Sequence, residues 1–495
     1  MDGKQLKEGT WLMKYYIGAD VGTSSLKLLL VDENGKVVKT ATKDYPVYYP
    51  KPSWCEQDPH DWWRAFTEAA KEVTEDIDPL DVAGMGVAGQ MHGLVILDED
   101  DEVIRPAILW NDCRTDKETN YLNTVIGKER LSELTSNIAF AGFTAPKILW
   151  IRKNEPSNFA KIKKIMLPKD YLNYKLTGRF TTDLSDASGM LLLDVKNRCW
   201  SSEMLEICGL KQTQMPRLCE SYESIGKIKS EIAKEFGFSP SVEVIAGAGD
   251  NAGACLGMGT VGDGECNISL GTSGTVFIST DRYRPLENNA IHNFCHANGK
   301  YHLMACILSA ASSNKWFCEN ILKTNDFVKE QSEITPEMLA ASETLFLPYL
   351  MGERSPVNDP SATGVFIGLR PSTTRADMLL SVLEGVGFAI RDNIEIARAA
   401  GVEVTESTVC GGGAKSELWL KILANILNIK LLVPKDEQGV GYGAAILAMQ
   451  DIGKIKKTEI KSVIAHEPTF VLKYNAKYEK YKNLYPALKN YFQNK

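Results

Sequence analysis

Residues 17–35 read IGADVGTSSLKLLLVDENG, and this stretch decides the fold. A strand that ends at Asp20 is followed by a Gly-Thr-Ser turn at residues 22–24 and by a second apolar strand from Leu26 to Val31. The glycine lets the backbone approach an anion closely, and the two hydroxyls add donors beside the exposed backbone N–H groups. The stretch therefore predicts a β-hairpin whose turn can bind a phosphate. An ordinary hairpin turn has a similar composition, so a single copy is weak evidence.

A second copy of this pattern occurs in the other half of the chain. Residues 265–279 read ECNISLGTSGTVFIS, with a Gly-Thr-Ser turn at 271–273 between two apolar runs. A structural pattern repeated about half a chain apart indicates a duplicated domain. The Asp20 carboxylate stands where it could hold Mg²⁺, directly or through water, beside bound phosphates. We interpret the two copies as related domains that offer their phosphate-binding hairpins to one nucleotide.

Length and charge limit the classes of protein to which this chain can belong. A chain of 495 residues is too long for one hydrophobic core and suits two or three domains. The net charge of −7 argues against nucleic acid or an anionic membrane as a partner. No apolar run approaches the roughly 20 residues that span a bilayer, and the start lacks the apolar centre of a signal peptide. We therefore expect a cytoplasmic protein in which residues 1–13 form an N-terminal extension.

Cysteine and histidine spacing predicts neither disulfides nor a metal centre. The eleven cysteines include no C-x-x-C pair, which indicates free, buried thiols in a reducing compartment. His292 and His296 are four residues apart, but their segment is predicted as strand and turn, so they would not share a helix face.

Two buried strands in the first half of the chain end in polar side chains. The small-residue run 82–88 leads into Gln90-Met91-His92, and the run 106–109 leads into Trp110, Asn111, Asp112 and Arg114. In α/β folds the ligand contacts follow the ends of strands. We therefore expect the first group to contact a ligand and the second to stack on and hydrogen-bond a polyol. A solitary histidine is more often structural, and the strand exit is what favours a binding role.

The sharpest single feature is VIAGAGDNAG at residues 244–253, where a buried strand delivers Asp250 and Asn251 into a glycine-rich turn. An ionised aspartate at a strand end can accept a proton from a substrate hydroxyl, and the asparagine can orient that hydroxyl. The alternative is that the aspartate caps the following helix, and the two roles are compatible. The hydroxyl- and carboxylate-rich run TTDLSDASGM at 181–190 could line a pocket or supply turns and caps, and both interpretations stay open.

Further patterns predict local structure elsewhere in the chain. Asp58-Pro59 indicates the N-cap and first position of a helix, and apolar residues at a spacing near 3.6 predict a long helix over 376–398. Residues 409–420 predict a strand, a glycine turn and a helix, and three glycines there would let an adenine or a ribose-phosphate lie against the backbone. We also expect a turn at 142–147 and a last helix at 441–450.

With ten segments in the expected order, the chain resembles the FGGY carbohydrate kinase family, most closely its members that act on xylulose. The resemblance runs from about Tyr16 to about Tyr481, and VAGQMHG is the segment that discriminates among the sugars. GFTAPKILW at 142–150 and the stretch 364–385 are similar to the two family signatures. The ten segments are GADVGTS, EQDPHDWW, VAGQMHG, RPAILWNDCR, LPKDYL, GDNAG, SLGTSG, NFCHA, LPYLMGERSP and GGGAKSELW.

The resemblance implies an α/β fold of two actin-like, ribonuclease H-like ATPase domains around a central cleft for nucleotide and sugar. The first domain, 14–256, would hold the sugar and the first phosphate hairpin. The second domain, 257–452, would hold the second hairpin and the adenosine site, and residues 453–495 would form a helical tail. The implied partners are a small-molecule sugar, ATP and Mg²⁺, and a homodimer is common in the family.

The resemblance also assigns roles to individual residues. Asp250 would be the general base for the 5-hydroxyl of the sugar, and Asp20 would be a catalytic residue that contributes to magnesium and phosphate binding. The expected sugar contacts are Met91, His92, Trp110 and Asn251. The expected ATP contacts are Gly22, Thr23, Ser24, Gly271, Thr272, Ser273, Gly412, Gly413 and Ala414.

The implied reaction is the ATP-dependent phosphorylation of D-xylulose to D-xylulose 5-phosphate in D-xylose catabolism. One alternative is a kinase of the same fold for another ketose or polyol, such as ribulose, and the pocket residues 90–92 and Trp110 would decide between them. A more distant alternative is a non-enzymatic, nucleotide-dependent interaction protein related to actin or a chaperone. The Asp250-Asn251 pair argues against that alternative.

Overall fold

The computed structural model describes residues 13–286, 289–436, 439–450 and 455–493. Of the predicted N-terminal extension only Met13 is described, and residues 1–12 lie outside the described part of the chain. The first strands are β1 (Tyr15–Val21), β2 (Ser25–Asp32), β3 (Val37–Asp44), β4 (Glu56–Gln57), β5 (Val82–Gly89), β6 (Val95–Leu97), β7 (Ala107–Ile108), β8 (Lys164–Met166), β9 (Thr181–Asp183), β10 (Leu193–Asp194), β11 (Cys199–Trp200), β12 (Arg217–Cys219), β13 (Ser224–Lys227) and β14 (Glu243–Gly249). The later strands are β15 (Cys266–Leu270), β16 (Gly274–Thr280), β17 (His292–Cys295), β18 (Tyr301–Ile307), β19 (Leu345–Leu347), β20 (Val365–Ile367), β21 (Glu406–Cys410), β22 (Lys430–Pro434) and β23 (Ile460–Ile464).

The α-helices alternate with these strands. They are α1 (Pro59–Val73), α2 (Asp116–Tyr121), α3 (Lys128–Thr135), α4 (Thr144–Asn154), α5 (Pro156–Lys161), α6 (Pro168–Thr177), α7 (Leu184–Ala187), α8 (Ser202–Cys208), α9 (Ser230–Phe236), α10 (Asp250–Gly257), α11 (Ala311–Trp316), α12 (Phe327–Ser332), α13 (Arg375–Ala399), α14 (Glu417–Leu427), α15 (Val440–Ala448), α16 (Pro468–Tyr481) and α17 (Leu484–Gln493). In the part of the chain that the structure describes, no helix is both long and apolar enough to cross a bilayer.

Several local predictions are confirmed and one is wrong. Helix α1 begins at Pro59, and Asp58 caps it because its carboxylate accepts the backbone N–H of His60 at 2.9 Å. The long helix predicted over 376–398 is α13. The predicted turn at 142–147 is instead largely the first turn of α4. Pro146 fits there because the first N–H groups of a helix have no intrahelical partner, so the missing donor costs nothing.

The described residues divide into two compact units. Unit 1 comprises the described residues of Met1–Met258, Cys295–Gly299 and Gln438–Lys456, and unit 2 comprises those of Gly259–Phe294, Lys300–Glu437 and Lys457–Lys495. All eleven cysteines are free, as predicted, although Cys113 and Cys199 are exposed rather than buried.

Unit 1 is built on a six-stranded sheet with the order β13-β14-β5-β1-β2-β3. Strands β1, β5 and β14 are parallel, whereas β2 pairs antiparallel with β1 and β3 pairs antiparallel with β2. The predicted hairpin is β1 and β2, in which Asp20 pairs with Lys27 across the sheet. Helix α1 packs on one face through Trp62 and Phe66, both fully buried.

Helix α15 lies directly on the sheet of unit 1 because the facing strands are rich in glycine. A Cβ on Gly18 would lie 1.9 Å from the carbonyl oxygen of Gly441, and one on Gly86 would lie 2.3 Å from that of Ala444. Only glycine permits so close an approach of two backbones. The sequence places this helix in the domain 257–452, whereas the structure packs it against the strands β1 and β5 of unit 1.

Unit 2 has a seven-stranded sheet with the order β17-β18-β16-β15-β21-β22-β23. Strands β15, β21 and β22 are parallel, β16 pairs antiparallel with β15, and β18 pairs antiparallel with β16. The order therefore repeats that of unit 1, with β15, β16, β21 and β22 in the places of β1, β2, β5 and β14. The duplication inferred from two Gly-Thr-Ser turns is a duplication of whole sheets.

The C-terminal segment belongs to the core of unit 2 rather than forming a separate tail. Helix α16 buries Tyr474 and Tyr481, and the ammonium of Lys477 lies 2.5 Å from the carboxylate of Glu384 on α13. Both partners of this ion pair are buried. Strand β23 pairs with β22, so the segment contributes a strand as well as two helices.

Candidate active site

Three parallel strands of unit 1 end side by side and carry the predicted catalytic side chains. Asp20 on β1 is in register with Ala88 on β5, and Ala88 is in register with Ala248 on β14. The three strand ends therefore bring together Asp20, the segment that follows Gly89, and Asp250. The carboxyl ends of parallel strands are the usual place for a ligand site in an α/β sheet.

Asp20 and Asp250 are close enough to influence each other. Burial, followed by the charge of Asp250, raises the pKa of Asp20 from 3.8 to about 7, and Lys27 opposes this rise. Both carboxylates remain partly accessible to solvent. A pair of carboxylates in one site resists full ionisation, so a cation or a proton at Asp20 is favourable.

Asp250 is the first residue of α10, and Gly249 rather than the aspartate occupies the N-cap position. One carboxylate oxygen accepts the backbone N–H of Asn251 at 2.7 Å and its side-chain amide at 2.8 Å. Burial raises the pKa of Asp250 to about 6, and the two hydrogen bonds from Asn251 oppose that rise. The side chain is therefore held in one orientation and is ionised at neutral pH.

The first Gly-Thr-Ser turn is held from behind by a network of side chains, of which Tyr45 and Gln57 are buried. The Tyr45 hydroxyl donates to the carbonyl of Gly22 at 2.5 Å, and the Gln57 amide donates to that of Thr23 at 2.6 Å. The Trp110 indole donates to the Thr23 hydroxyl at 3.0 Å. These bonds fix the turn, whose last residue, Ser24, is exposed.

His92 follows β5 in a left-handed backbone conformation, with φ of 67°. Its carbonyl oxygen accepts hydrogen bonds from the Thr144 hydroxyl at 3.1 Å and the Lys147 ammonium at 2.8 Å. Its Nδ1 donates to the carbonyl of Gly189 at 2.7 Å, and its ring stacks on Phe143 at 4.7 Å between centroids. This backbone conformation is strained for a non-glycine residue, and it persists only where the surrounding structure holds it. Such strained residues cluster at functional sites.

Met91 and Trp110, the other expected sugar contacts, differ in exposure. Met91 is buried beside Gly249, and a Cβ added to Gly249 would lie 3.0 Å from the Met91 sulfur. Trp110 is 40% exposed, so one face of its ring can contact a ligand.

Asp112 and Arg114 do not serve the polyol contacts expected from the sequence. Both side chains are buried, and Arg114 forms ion pairs with Asp112 at 2.6 Å and Glu56 at 2.7 Å. The guanidinium also lies 3.7 Å from the ring centre of Trp54. This prediction is wrong because the strand end turns the charged pair into the core, where the two charges neutralise each other.

The second Gly-Thr-Ser turn opens onto a cavity of about 910 Å³ within unit 2. Gly271, Thr272, Gly412 and Gly413 line the cavity, together with the apolar side chains of α12. Its size is within the range of small-molecule sites. A Cβ on Gly412 would meet no other atom within 4 Å, so this glycine leaves room for a flat or extended ligand.

The other two expected ATP contacts in unit 2, Ser273 and Ala414, do not line this cavity. Ser273 is exposed at the tip of the hairpin, and Ala414 packs against the core of unit 2. Lys415, next along the chain, does line the cavity and supplies positive charge near the glycine turn.

The donor set around Asp20 suits Mg²⁺ bound mainly by phosphates. Among the described residues no group of three or more His, Cys, Asp or Glu side chains is arranged to hold a metal. Mg²⁺ keeps several waters and usually takes one or two carboxylates together with substrate phosphates, so a dedicated protein cage is not required. The raised pKa of Asp20 marks a carboxylate that a nearby cation would stabilise in its ionised form.

Sequence reasoning missed the buried side chains that support the site. Lys147 lies on α4, and burial lowers its pKa to about 7. Lys169, Asp183 and Ser185 lie behind β14 and are fully buried. The available signal was a lysine inside each of two apolar segments, GFTAPKILW and LPKDYL, beside the run TTDLSDASGM.

Comparisons with known proteins agree with this geometry. Residues 15–257 match the N-terminal domain of the FGGY family of carbohydrate kinases, and residues 266–451 match its C-terminal domain. The xylulose kinase of Escherichia coli K12 is 41% identical over 443 residues, which are 88% of this chain and 89% of that protein.

Solved structures with this fold include sugar kinases of different specificity. The xyloylose kinase from Brucella ovis has a TM-score of 0.91 at 40% identity, covering 96% of this chain and 99% of that one. The gluconate kinase from Lactobacillus acidophilus has a TM-score of 0.90 at 26% identity, covering 96% and 98%. The two units thus have the α/β fold of sugar kinases of the actin-like ATPase type. The chain belongs to the FGGY family of carbohydrate kinases.

Proposed function

We propose that the protein is a xylulokinase that transfers the γ-phosphate of ATP to the 5-hydroxyl of D-xylulose. The observation that carries the proposal is the 41% identity to the E. coli xylulose kinase over 88% of the chain. The gluconate kinase relative has the same fold at lower identity, so the fold by itself does not select the sugar. The product, D-xylulose 5-phosphate, would serve D-xylose catabolism.

Asp250 is the general base of this reaction. It accepts the proton of the 5-hydroxyl while that oxygen forms a bond to the γ-phosphorus, and the bond from that phosphorus to the β–γ bridging oxygen breaks. With a pKa of about 6 the carboxylate is ionised at neutral pH and still basic enough to take the proton. Asn251 holds the carboxylate in place through its two hydrogen bonds.

Asp20 would hold Mg²⁺, directly or through water, and the turn of residues 22–24 would contribute N–H and hydroxyl donors to phosphate oxygens. Bound Mg²⁺ would neutralise charge on the transferred phosphoryl group. The network of Tyr45, Gln57 and Trp110 keeps the turn in position, so no reorganisation is needed when phosphate binds.

The two substrates contact different units. The sugar contacts Met91, His92, Trp110 and Asn251 in unit 1. The adenosine part of ATP occupies the cavity lined by Gly412 and Gly413 in unit 2, and phosphates contact the second Gly-Thr-Ser turn. Support comes from the volume of that cavity and from the glycines at its wall.

The test is ADP release with Mg-ATP against D-xylulose, D-ribulose, L-xylulose, L-ribulose, glycerol and no sugar. We expect a clear preference for D-xylulose and little ADP release without sugar. A preference for another sugar would keep the kinase chemistry and reject the proposed substrate. ADP release that is equally fast without any sugar would reject sugar phosphorylation altogether. The Asp250→Asn variant serves as the control for contaminating kinases.

The homodimer common in the family and the cytoplasmic location stay predictions. Sedimentation velocity of the purified chain tests the first: a single species at the monomer mass would contradict it.

A further inference from the structure

Strand β14, which carries Asp250 at its end, is interrupted by a bulge. Its register with β5 shifts between Ile245 and Ala248. Gly247 within the bulge has φ of 79°, and a Cβ there would lie 1.7 Å from the carbonyl oxygen of Val87. Bulges re-aim the residues that follow them and are frequent next to active sites.

The backbone groups of the bulge find partners outside the sheet ladder with β5. The N–H groups of Ala246 and Gly247 donate to the carbonyls of Glu223 and Ser221 at 2.9 and 3.0 Å. The carbonyl of Ala246 accepts the Asn173 amide at 2.9 Å. The bulge is therefore held by specific contacts rather than left as a loose irregularity.

A buried ion cluster lies against this bulge. The ammonium of Lys169 is 2.6 Å from Asp170, 2.9 Å from Asp183 and 3.9 Å from Asp186, and all four side chains are buried. Lys169 also donates to the carbonyl of Ala246 at 3.4 Å. One lysine faces three carboxyl groups, and burial raises the pKa of Asp186 well above its ordinary value.

A hydrogen-bond chain leads from the cluster to the residue before Asp250. Asp183 accepts the Ser185 hydroxyl at 2.5 Å and the Ser221 hydroxyl at 2.7 Å. The Ser185 oxygen in turn accepts the backbone N–H of Gly249 at 3.1 Å. The peptide that leads into Asp250 is thus tied through one serine to a buried ion pair.

We propose that Ser185, anchored by Asp183 and Lys169, is a positioning residue that fixes the end of the bulged strand and so aims the Asp250 carboxylate at the sugar hydroxyl. The inference rests on the proposed role of Asp250. The chain of Lys169, Asp183 and Ser185, which lie on α6, β9 and α7, acts through the backbone of β14. Displacement of a reacting group by about 1 Å can cost on the order of 100-fold in rate, so a single hydrogen bond at this place matters.

Ser185→Ala removes the partner of the Gly249 N–H without adding volume. We expect kcat to fall about 10- to 100-fold while KM for the sugar stays within about threefold, because binding contacts are unchanged. Ser188→Ala is the matched control. Ser188 lies in the same run, is equally buried and donates to the carbonyl of Leu184 at 2.7 Å, but has no bond to β14. Equal kcat values for the two variants, or a rise in KM without a fall in kcat, would overturn the proposal.

A double-mutant cycle separates this proposal from the proposed function. If Ser185 acts through Asp250, Ser185→Ala lowers kcat in the native background but changes it less than about twofold in the Asp250→Asn background. The same fold-change in both backgrounds overturns the positioning role. Near-native turnover of Asp250→Asn alone contradicts the proposed function instead.

A second variant covers the case in which Ser185→Ala does not fold, as judged by thermal unfolding. Asn173→Leu removes the amide that holds the Ala246 carbonyl at the other end of the bulge. A fall in kcat of about tenfold with unchanged sugar KM supports the proposal, and unchanged kcat overturns it.

Discussion

The two sheets have corresponding strand orders, but the residues at their strand ends differ between the two units. In unit 1 the parallel strands β1, β5 and β14 end at Asp20, at the segment of Gln90 to His92, and at Asp250. In unit 2 the corresponding strand β15 has Ser269 in the place of Asp20, β21 is followed by three glycines at 411–413, and β22 is followed by Lys435 and Asp436. The comparison favours a role in phosphate binding for both hairpins, while the neighbouring strand ends distinguish the proposed reactive site from the proposed nucleotide site.

The difference extends to what surrounds each turn. The turn of residues 22–24 is fixed from behind by buried hydrogen bonds, and the turn of residues 271–273 faces a cavity of about 910 Å³. The carbonyl of Thr272 accepts the hydroxyl of Ser312 at 2.7 Å, so the second turn is tied to α11 instead. We therefore expect unit 1 to provide a rigid reactive site and unit 2 to provide the space for a ligand.

The largest expected effect is that of removing the Asp250 carboxylate of unit 1. Asp250→Asn should lower kcat by at least about 100-fold, because general-base catalysis contributes roughly 10²–10⁴-fold. Sugar binding, measured by calorimetry, should persist. Asp44→Asn, an exposed aspartate at the end of β3, is the control. Turnover within tenfold of the native value would remove Asp250 from the mechanism.

The next effect compares equivalent positions of the two hairpins. Asp20→Asn should lower kcat by about 10- to 100-fold and raise the Mg²⁺ concentration needed for half-maximal rate, because a charged ligand is lost. Ser269→Ala at the matching position of unit 2 should change kcat less than about threefold. Rates measured across a magnesium titration test both. Similar losses in the two variants would mean that the hairpins do not differ in function.

The pH dependence of kcat tests the role of the Asp250 carboxylate in unit 1. Because burial raises the pKa of Asp250 to about 6, the base is ionised above that pH and protonated below it. We expect kcat to fall about tenfold per pH unit below pH 6. A folded state with a raised carboxyl pKa binds the proton more tightly than the unfolded chain, so this group favours folding at low pH and loses that contribution as pH rises from about 4 to 6. A rate that is flat down to pH 5 would contradict the assignment.

The smallest expected effect concerns the glycine turn that lines the cavity of unit 2. Gly412→Val adds a side chain at the wall of the cavity of unit 2, and its Cβ meets no protein atom within 4 Å. We expect KM for ATP to rise about tenfold while KM for the sugar is unchanged. Gly439→Val, where a Cβ also meets nothing within 4 Å, is the control outside the cavity. An unchanged KM for ATP would exclude this cavity as the adenosine site.

Much of the fold followed from local patterns. The two hairpins, the Asp58-capped helix α1 and the long helix α13 depend on periodicity and capping within short segments, and all were predicted. The packing of α15 against unit 1 was not predicted, because in the sequence this helix lies between β22 and β23 of unit 2. Its docking depends on the glycines of β1 and β5, which are distant in the chain.

The site was predicted unevenly for the same reason. Asp20, Asp250 and His92 stand at strand ends that the sequence reveals, and the structure brings their backbones to one edge of the sheet. Asp112 and Arg114 also follow a strand, yet their side chains pair in the core. The direction in which a side chain points at a strand end depends on the packing of neighbouring segments. A pattern of residue types does not contain that information.

The sequence by itself determined the duplicated hairpins, the polar groups at the strand ends and the family. Only the tertiary structure decided which buried charges support the site. Lys147 holds the carbonyl of His92 across 55 residues, and Ser185 accepts the N–H of Gly249 across 64. Turns and helices follow from short-range sterics and hydrogen bonding, whereas a buried lysine gains its role from partners that folding brings to it.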